Sequence, residues 1–217
     1  MTITIGPAGT GKSYLTSYLA AKALKDKTVS NIIITRPTVP SGRSIGFFPG
    51  SLNEKMTPWC LPILGSIEEF LGKGDFEYHM KAKNIELVPF ETIRGRSFEN
   101  CFVILDEAQN CTKEEVKVFV TRIGEYSKAV INGDLTQSDI GSHNGLKTLL
   151  SLLKTHKGLQ KYVGLVEFSR EDIVRSGLCQ MWVEAFDFEN EASTEGIYQT
   201  LGIRNRNTCA EHSLNGQ

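Results

Sequence analysis

Three features are scarce or missing in this 217-residue sequence, and each absence narrows what the chain can be. No apolar run approaches the roughly 18 residues needed to cross a bilayer, and no signal-like segment follows Met1, so we expect a cytoplasmic protein without membrane contact. The five cysteines have no Cys-x-x-Cys spacing and the four histidines lie far apart, which predicts free thiols and no structural zinc. Neither charge dominates, with 24 Lys and Arg against 25 Asp and Glu. A nucleic-acid partner would therefore need a local basic patch.

Short β-branched runs alternate with longer helical patterns, which is typical of a mainly parallel sheet with helices on both faces. The predicted strands are 2–5, 31–35, 85–88, 101–105, 129–132 and 163–168. The predicted helices between them are 12–25, 112–123, 143–154 and 171–186, and Thr112 with Glu115 forms a capping-box pattern. We expect one α/β domain with a mainly parallel sheet over residues 1–188.

Two segments differ from this alternation. Residues 36–84 begin with RPTVPSGRSIGFFPG, which holds three prolines and three glycines, and continue with a predicted helix from Leu52 to Leu71. We interpret them as a loop-and-helix insertion outside the core strands. From residue 189 to 217 the apolar periodicity fades, so we expect a polar and loosely ordered tail.

The stretch GPAGTGKS at 6–13 matches the pattern G-x-x-x-x-G-K-[ST] between a predicted strand and a predicted helix. In such a loop, backbone N–H groups surround the β-phosphate and the helix N-terminus adds a favourable dipole. Lys12 would reach the β- and γ-phosphates, and the Ser13 hydroxyl would ligate Mg²⁺. The residues predicted to bind the nucleotide are Gly6, Pro7, Ala8, Gly9, Thr10, Gly11, Lys12, Ser13 and Tyr14.

Two adjacent carboxylates, Asp106 and Glu107, follow the apolar run FVIL. A parallel sheet would deliver them to its carboxyl edge, where ligands bind in such folds. We expect Asp106 to hold the hydrated Mg²⁺ and Glu107 to orient or deprotonate the attacking water. Taken alone, the pair could equally be a solvated acidic turn. The phosphate loop upstream favours the catalytic interpretation.

A third element, AVINGDLTQSD at 129–139, is another predicted buried strand that ends in polar residues. Gln137 lies where an uncharged amide at the tip of a neighbouring strand could contact the γ-phosphate or its water. It is therefore the candidate γ-phosphate sensor, with an ordinary polar turn as the alternative.

The order of several blocks along the chain resembles a known family. The blocks are GPAGTGKSYL, ITRPTVPSGRSIGFFPGSLNEK, IRGRSFENCFVILDEAQNCT, RIGEYSKAVINGDLTQSD and EFSREDIVRS. Over residues 3–187 the chain is similar to the PhoH family of bacterial and phage P-loop ATPases, which resemble the nucleotide-binding domain of superfamily 1 helicases. The resemblance implies a P-loop NTPase fold of the RecA-like type over residues 1–188, with ATP and Mg²⁺ as cofactors. It further implies hydrolysis through Asp106 and Glu107 and γ-phosphate sensing at Gln137. It also implies homo-oligomeric, hexameric rings that act on RNA or single-stranded nucleic acid, with RNA helicase activity as a further expectation.

Superfamily 1 helicases close the ATP site with arginines from a second domain, and this chain is too short to include one. We therefore expect a neighbouring subunit to supply that charge, as arginine fingers do. Arg170 and Arg175 in EFSREDIVRSGL are the candidates, with Arg175 preferred. Ion pairs of these arginines with Glu171 or Asp172 on a solvated helix face are the alternative.

Basic and aromatic residues in two of the family blocks suggest a nucleic-acid surface, because cations hold phosphates and aromatic rings stack on bases. The candidates are Arg36, Arg43, Arg94 and Arg96, with Phe47, Phe48 and Phe98 nearby in sequence. The phenylalanines could instead belong to the core. The RGR sequence could instead serve the nucleotide site or a subunit interface.

The resemblance also implies a segment ahead of the first strand that contacts adenine, whereas Thr2 already lies in the predicted strand. We expect base recognition to come from later loops or to be weak. Two other functions stay open, a nucleotide-gated assembly or binding protein with little turnover and a small-molecule or nucleotide kinase. The kinase would have to build its acceptor pocket from residues 36–84, and the water-activating acidic pair argues against it.

Overall fold

The computed structural model describes residues 1–37, 52–135, 137, 144–179, 181 and 182. The chain divides into two compact units, Met1–Ile173 and Val174–Gln217. The sheet and all helices named below belong to the first unit. The predicted tail at 189–217 lies outside the described residues.

The first unit contains a six-stranded parallel sheet in the order β3-β2-β4-β5-β1-β6. Its strands are β1 Thr2–Ile5, β2 Asn31–Thr35, β3 Ile85–Leu87, β4 Cys101–Leu105, β5 Lys128–Gly133 and β6 Gly164–Glu167. Each predicted strand is present, and its bounds differ from the prediction by no more than one residue at either end. The predicted α/β fold with a parallel sheet is therefore confirmed.

Helices connect these strands, as the sequence predicts. Their bounds are α1 Lys12–Lys25, α2 Leu52–Leu71, α3 Lys73–Lys81, α4 Phe90–Ile93, α5 Lys113–Val120 and α6 Gly145–Thr155. The predicted capping box is present at the start of α5, where Thr112 Oγ1 accepts from the Glu115 amide at 3.2 Å and the Glu115 carboxylate accepts from the Thr112 amide at 2.7 Å. None of the helices in the described residues is long and apolar enough to span a membrane.

The central strand β4 is buried on both faces, which explains its uninterrupted apolar sequence. Ile104 packs with residues of α1 and α2 on one face of the sheet. Val103 and Leu105 pack with residues of α5 and α6 on the other face. The period-two alternation of a strand thus divides the core into two layers around one sheet.

The order of the strands places the polar segments that follow β1, β4 and β5 side by side. Strand β5 lies between β1 and β4, and all three run parallel. The backbone N–H of Gly6, just after β1, donates to the Gly133 carbonyl at the end of β5, with an N–O distance of 3.3 Å. The phosphate loop and the acidic pair therefore lie on either side of the end of β5, where the carboxyl ends of these parallel strands meet.

The helix predicted over 171–186 is wrong at its start. Arg170–Asp172 form a single 3₁₀ turn, and the chain is non-helical from 173 to 176. Ser169 Oγ accepts from the Glu171 amide at 3.2 Å, and the Asp172 carboxylate accepts from the Ser169 amide at 2.7 Å. These local bonds satisfy the backbone in one short turn and compete with a longer helix. The end of the predicted helix, from 183 onward, lies outside the described residues.

The cysteines at 60, 101, 111 and 179 are free thiols, in agreement with the prediction. Cys60, Cys101 and Cys111 are buried. Burial raises the pKa of the Cys60 thiol to about 11 and also raises the pKa of the other two. Because the thiolate is the reactive form, these three side chains are packing residues.

Substitution of Phe119 tests the packing between the sheet and α5, because this side chain is 0% exposed in that part of the core. Phe119→Ala should lower the free energy of unfolding by about 3–5 kcal/mol, because it leaves a cavity under the helix. Urea unfolding measures this change. Leu61→Ala, at a side chain of α2 that is 57% exposed, is the control and should cost less than about 0.5 kcal/mol. Equal losses in the two variants would contradict this packing.

Candidate functional site

The loop between β1 and α1 needs glycine at its first position. Gly6 has φ +149°, and a Cβ there would lie 2.5 Å from the carbonyl oxygen of Phe168. Gly9 and Gly11 have φ of 84° and 80°, in the left-handed region that favours glycine. These three positions let the loop turn closely around the start of α1.

The N-terminus of α1 is suited to an anion. Gly11 caps the helix without a side-chain hydrogen bond, and the first turn contains no acidic residue. The first N–H groups of a helix lack intrahelical partners and carry the positive end of its dipole. A phosphate group would find both hydrogen-bond donors and a favourable potential here.

Lys12 folds over the same loop. Its Nζ donates to the carbonyl oxygens of Gly6 and Pro7, both at 2.7 Å. Burial lowers the pKa of Lys12, and the carboxylates of Asp134, Glu107 and Asp106 partly oppose that shift. A partly buried ammonium therefore lies among backbone oxygens and the field of several carboxylates.

Asp106 is the centre of a buried hydrogen-bond network. It is 4% exposed, and its Oδ1 accepts from Ser13 Oγ at 2.7 Å and from Asn132 Nδ2 at 3.2 Å. Asn132 Oδ1 in turn accepts from the hydroxyls of Thr4 at 2.6 Å and Thr16 at 3.1 Å. The structure thus brings the two predicted metal-side residues, Ser13 and Asp106, into direct contact. The sequence analysis missed Asn132, for which the only signal is a polar residue inside the apolar run of β5.

Glu107 adopts the left-handed conformation, with φ 55° and ψ 40°, which is unfavourable for a residue with a Cβ. Gln109 Nε2 donates to Glu107 Oε2 at 2.5 Å, and Gln109 Oε1 accepts from the Asp134 amide at 3.0 Å. Gln109 is 2% exposed. It therefore ties the predicted catalytic acid to the end of β5. The sequence analysis missed this residue, although it stands three places after Asp106 in LDEAQ.

Arg36 lies against the acidic pair. Its guanidinium nitrogens are 3.7 Å from Asp106 Oδ2 and 3.7 Å from Glu107 Oε1. A further hydrogen bond joins its NH1 to the carbonyl oxygen of Trp59 at 2.9 Å. This position favours a role of Arg36 in the candidate site over the nucleic-acid surface suggested by the sequence.

Three of the other nucleic-acid candidates, Arg94, Arg96 and Phe98, lie among the described residues. Arg96 pairs with Glu86 at 3.0 Å and lies 5.8 Å from the ring centroid of Phe98. Phe98 is 2% exposed, so it belongs to the core and is no stacking platform. Arg94 is exposed at the end of α4. The remaining candidates, Arg43, Phe47 and Phe48, lie outside the described residues.

The candidate sensor and arginine fingers stay predictions. Gln137 is exposed beyond the end of β5. Arg170 opens the 3₁₀ turn at the end of the first unit. Arg175 belongs to the second unit, where its NH1 donates to Cys179 Sγ at 3.4 Å.

Tyr14 closes the predicted loop segment but faces α2. Its ring centroid is 5.1 Å from that of Phe70, and its hydroxyl donates to Glu69 Oε1 at 3.4 Å. The side chain is 45% exposed. Tyr14 therefore connects the first turn of α1 to the end of α2.

The oxygen atoms at the site fit a hydrated Mg²⁺. Magnesium usually keeps several waters and is bound through one or two carboxylates and substrate phosphates. Ser13 Oγ and Asp106 Oδ1 supply such oxygens 2.7 Å apart. These two oxygens fit a magnesium ion that takes its other ligands from water and phosphate. Within the described residues, no group of three or more His, Cys, Asp or Glu side chains could hold a metal ion.

Comparison with known proteins shows a family match over most of the chain. The family model described as PhoH-like protein matches residues 1–187. A PhoH-like protein of Bacillus subtilis (strain 168) is 41% identical over 188 residues, which is 86% of this chain and 58% of that protein. Protein PhoH of Escherichia coli (strain K12) is 40% identical over 185 residues, or 83% of this chain and 51% of that protein. The chain thus spans between half and three-fifths of the length of these relatives.

Asn132→Asp tests the buried network with little change in shape. The new carboxyl would face Asp106 Oδ1, and a like charge in contact raises the pKa of the new carboxyl. Because the folded pKa then exceeds the unfolded value of about 4, the variant should lose stability relative to the unchanged chain as pH rises. Urea midpoints at about pH 4 and about pH 7.5 measure the difference. A deficit that is the same at both pH values would contradict the contact.

Proposed function

The chain belongs to the PhoH-like protein family, and we propose that it binds ATP with Mg²⁺ and hydrolyses its terminal phosphate. One observation carries the proposal. The hydrogen bond between Ser13 Oγ and Asp106 Oδ1, 2.7 Å long, joins the phosphate loop to the acidic end of β4. A hydroxyl and a carboxylate in contact beside an uncapped helix N-terminus are the groups that a Mg²⁺-bound nucleotide requires.

In this proposal the loop residues bind the phosphates. The N–H groups at the start of α1 would contact the β-phosphate, and Lys12 would exchange its carbonyl partners for phosphate oxygens. Ser13 and Asp106 would hold the hydrated Mg²⁺, which neutralises charge on the phosphates. Asn132 keeps the Asp106 carboxylate oriented toward Ser13.

Glu107 would act on the attacking water. The water oxygen bonds to the γ-phosphorus, the bond from that phosphorus to the β–γ bridging oxygen breaks, and the water proton passes to the Glu107 carboxylate. Gln109 restricts this carboxylate through its bond to Oε2. The side-chain oxygen of Gln109 also accepts from the Asp134 amide, directly after β5. Gln109 therefore holds the Glu107 carboxylate in position relative to the end of β5.

We further propose a homo-oligomer, hexameric by resemblance, in which Arg170 or Arg175 of a neighbouring subunit completes the site. Its substrate would be RNA or single-stranded nucleic acid, with helicase activity as the finer expectation. The support for these statements is the family resemblance and the positions of the two arginines in EFSREDIVRS.

A nucleotide-gated binding protein with slow turnover is the second candidate. Both Glu107 oxygens have protein partners, since Oε2 accepts from Gln109 and Oε1 lies 3.7 Å from Arg36. A carboxylate held in this way is less available to a water. The rate of phosphate release distinguishes the two candidates.

Glu107→Gln tests the hydrolytic step. The amide cannot take the water proton, so phosphate release from Mg-ATP should fall by about 100-fold or more. ATP affinity should stay within about three-fold, because the phosphate ligands are unchanged. Phosphate release and equilibrium binding measure the two effects. Glu77→Gln, at an exposed position of α3, is the control, and an equal loss there or full activity in Glu107→Gln would contradict the assignment.

Mixing two inactive variants tests sites shared between subunits. Lys12→Ala removes the phosphate contact, and Arg175→Ala removes the preferred finger, which can be worth roughly 10³–10⁵ in rate. A mixed oligomer pairs an intact loop from one subunit with an intact arginine from the next. Phosphate release by the mixture should therefore exceed that of either variant alone. The same experiment with Arg170→Ala identifies which arginine acts, and no recovery with either would contradict shared sites.

A further inference from the structure

Arg36 connects two parts of the first unit that are distant in the chain. On one side its guanidinium lies 3.7 Å from Asp106 Oδ2 and 3.7 Å from Glu107 Oε1. On the other side its NH1 donates to the carbonyl oxygen of Trp59, at 2.9 Å. Trp59 lies within α2. One side chain therefore contacts both the acidic pair and a helix of the insertion.

The sequence of α2 weakens the helix next to the carbonyl that Arg36 contacts. Pro58 and Pro62 both lie inside the helix. A proline in a helix interior removes an intrahelical donor and bends the helix near the preceding turn. Pro62 lacks the N–H that would donate to the carbonyl of Pro58, the residue before Trp59. The Arg36 guanidinium donates to the next carbonyl, that of Trp59.

The attraction between Arg36 and the acidic pair depends on the charge at that pair. The Arg36 side chain is 24% exposed and that of Asp106 only 6%, so solvent screens their attraction poorly. A divalent cation held at Asp106, beside Glu107, would repel the positively charged guanidinium of Arg36 and weaken both ion pairs. The effect would reach Trp59 because the same guanidinium binds its carbonyl.

We propose that Arg36 is a positioning residue that couples divalent-cation binding at Asp106, beside Glu107, to helix α2. The inference rests on the proposed function, because it requires a nucleotide-bound cation at Ser13 and Asp106. The inference adds to the proposed function that helix α2 responds to binding of the cation. Helix α2, which presents a Trp59 side chain that is 44% exposed, changes its contacts when the site is loaded.

Trp59 itself reports the coupling. The chain has two tryptophans, so Trp182→Phe leaves Trp59 as the single tryptophan, which can be excited selectively. Free Mg²⁺, held at defined concentrations by a metal buffer, is titrated into this protein with a saturating, non-hydrolysable ATP analogue, and we expect a saturable change in Trp59 fluorescence. Adding Arg36→Gln should lower the Mg²⁺ midpoint by about five-fold or more, because a nearby repelling charge is gone. The same variant should lose most of the fluorescence change.

Two further variants separate charge from geometry. Arg36→Lys keeps the positive charge but not the planar fork, so its Mg²⁺ midpoint should match the parent within about two-fold while the Trp59 response weakens. Lys25→Gln removes an exposed cation in the last turn of α1, at the end of that helix away from the phosphate loop, and should change neither quantity. Thermal unfolding of each variant checks that it is folded. If Arg36→Gln fails to fold, Arg36→Lys carries the test, and an unchanged Trp59 response in it overturns the coupling.

An independent measurement of metal binding distinguishes the two possible failures. Mn²⁺ binding to the parent protein with the same analogue is followed by electron paramagnetic resonance. If Mn²⁺ binds but Arg36→Gln has the parent's Mg²⁺ midpoint and fluorescence change, the coupling is overturned and the proposed function stands. If Mn²⁺ does not bind to the parent, the proposed function is overturned together with the coupling.

Discussion

The contact between Ser13 Oγ and Asp106 Oδ1 is the interaction on which the candidate site depends, because it joins a loop after β1 to the end of β4 across the intervening β5. The two strands do not touch, so this contact spans one strand of the sheet. Asn132, at the end of β5, lies between them and donates to the same carboxylate oxygen. The parallel order of the three strands therefore brings these polar atoms together. A displacement of β5 would separate the phosphate loop from Asp106.

Burying a carboxylate is costly unless its oxygens are paired, and the neighbours of Asp106 meet this requirement from two sides. Ser13 and Asn132 donate to Oδ1, while Arg36 lies 3.7 Å from Oδ2. Glu107 is in a different environment, because its side chain is 38% exposed and its backbone is in the left-handed region. The buried acid is thus suited to holding a position, and the exposed acid to meeting a solvent water.

Much of the fold could be predicted from the sequence, because buried parallel strands produce apolar runs such as CFVIL, and β1 and α1 flank a motif with a known mechanism. The contact of Ser13 with Asp106 follows from the same patterns. Asn132 and Gln109 could not be identified as supporting residues, since their roles arise from tertiary contacts across β4 and β5. The start of the helix predicted at 171–186 was wrong because Ser169 and Asp172 close a local turn that periodicity does not reveal.

The central claim is that the phosphate loop and Asp106 together bind a nucleotide through Mg²⁺. Calorimetric titration with a non-hydrolysable ATP analogue, in Mg²⁺ and in EDTA, tests it most directly in the unchanged chain and in Ser13→Ala. The account predicts that affinity in the unchanged chain falls when Mg²⁺ is removed, and that Ser13→Ala loses most of this metal dependence. Affinity that is the same with and without Mg²⁺ in the unchanged chain, or full metal dependence in Ser13→Ala, would contradict it.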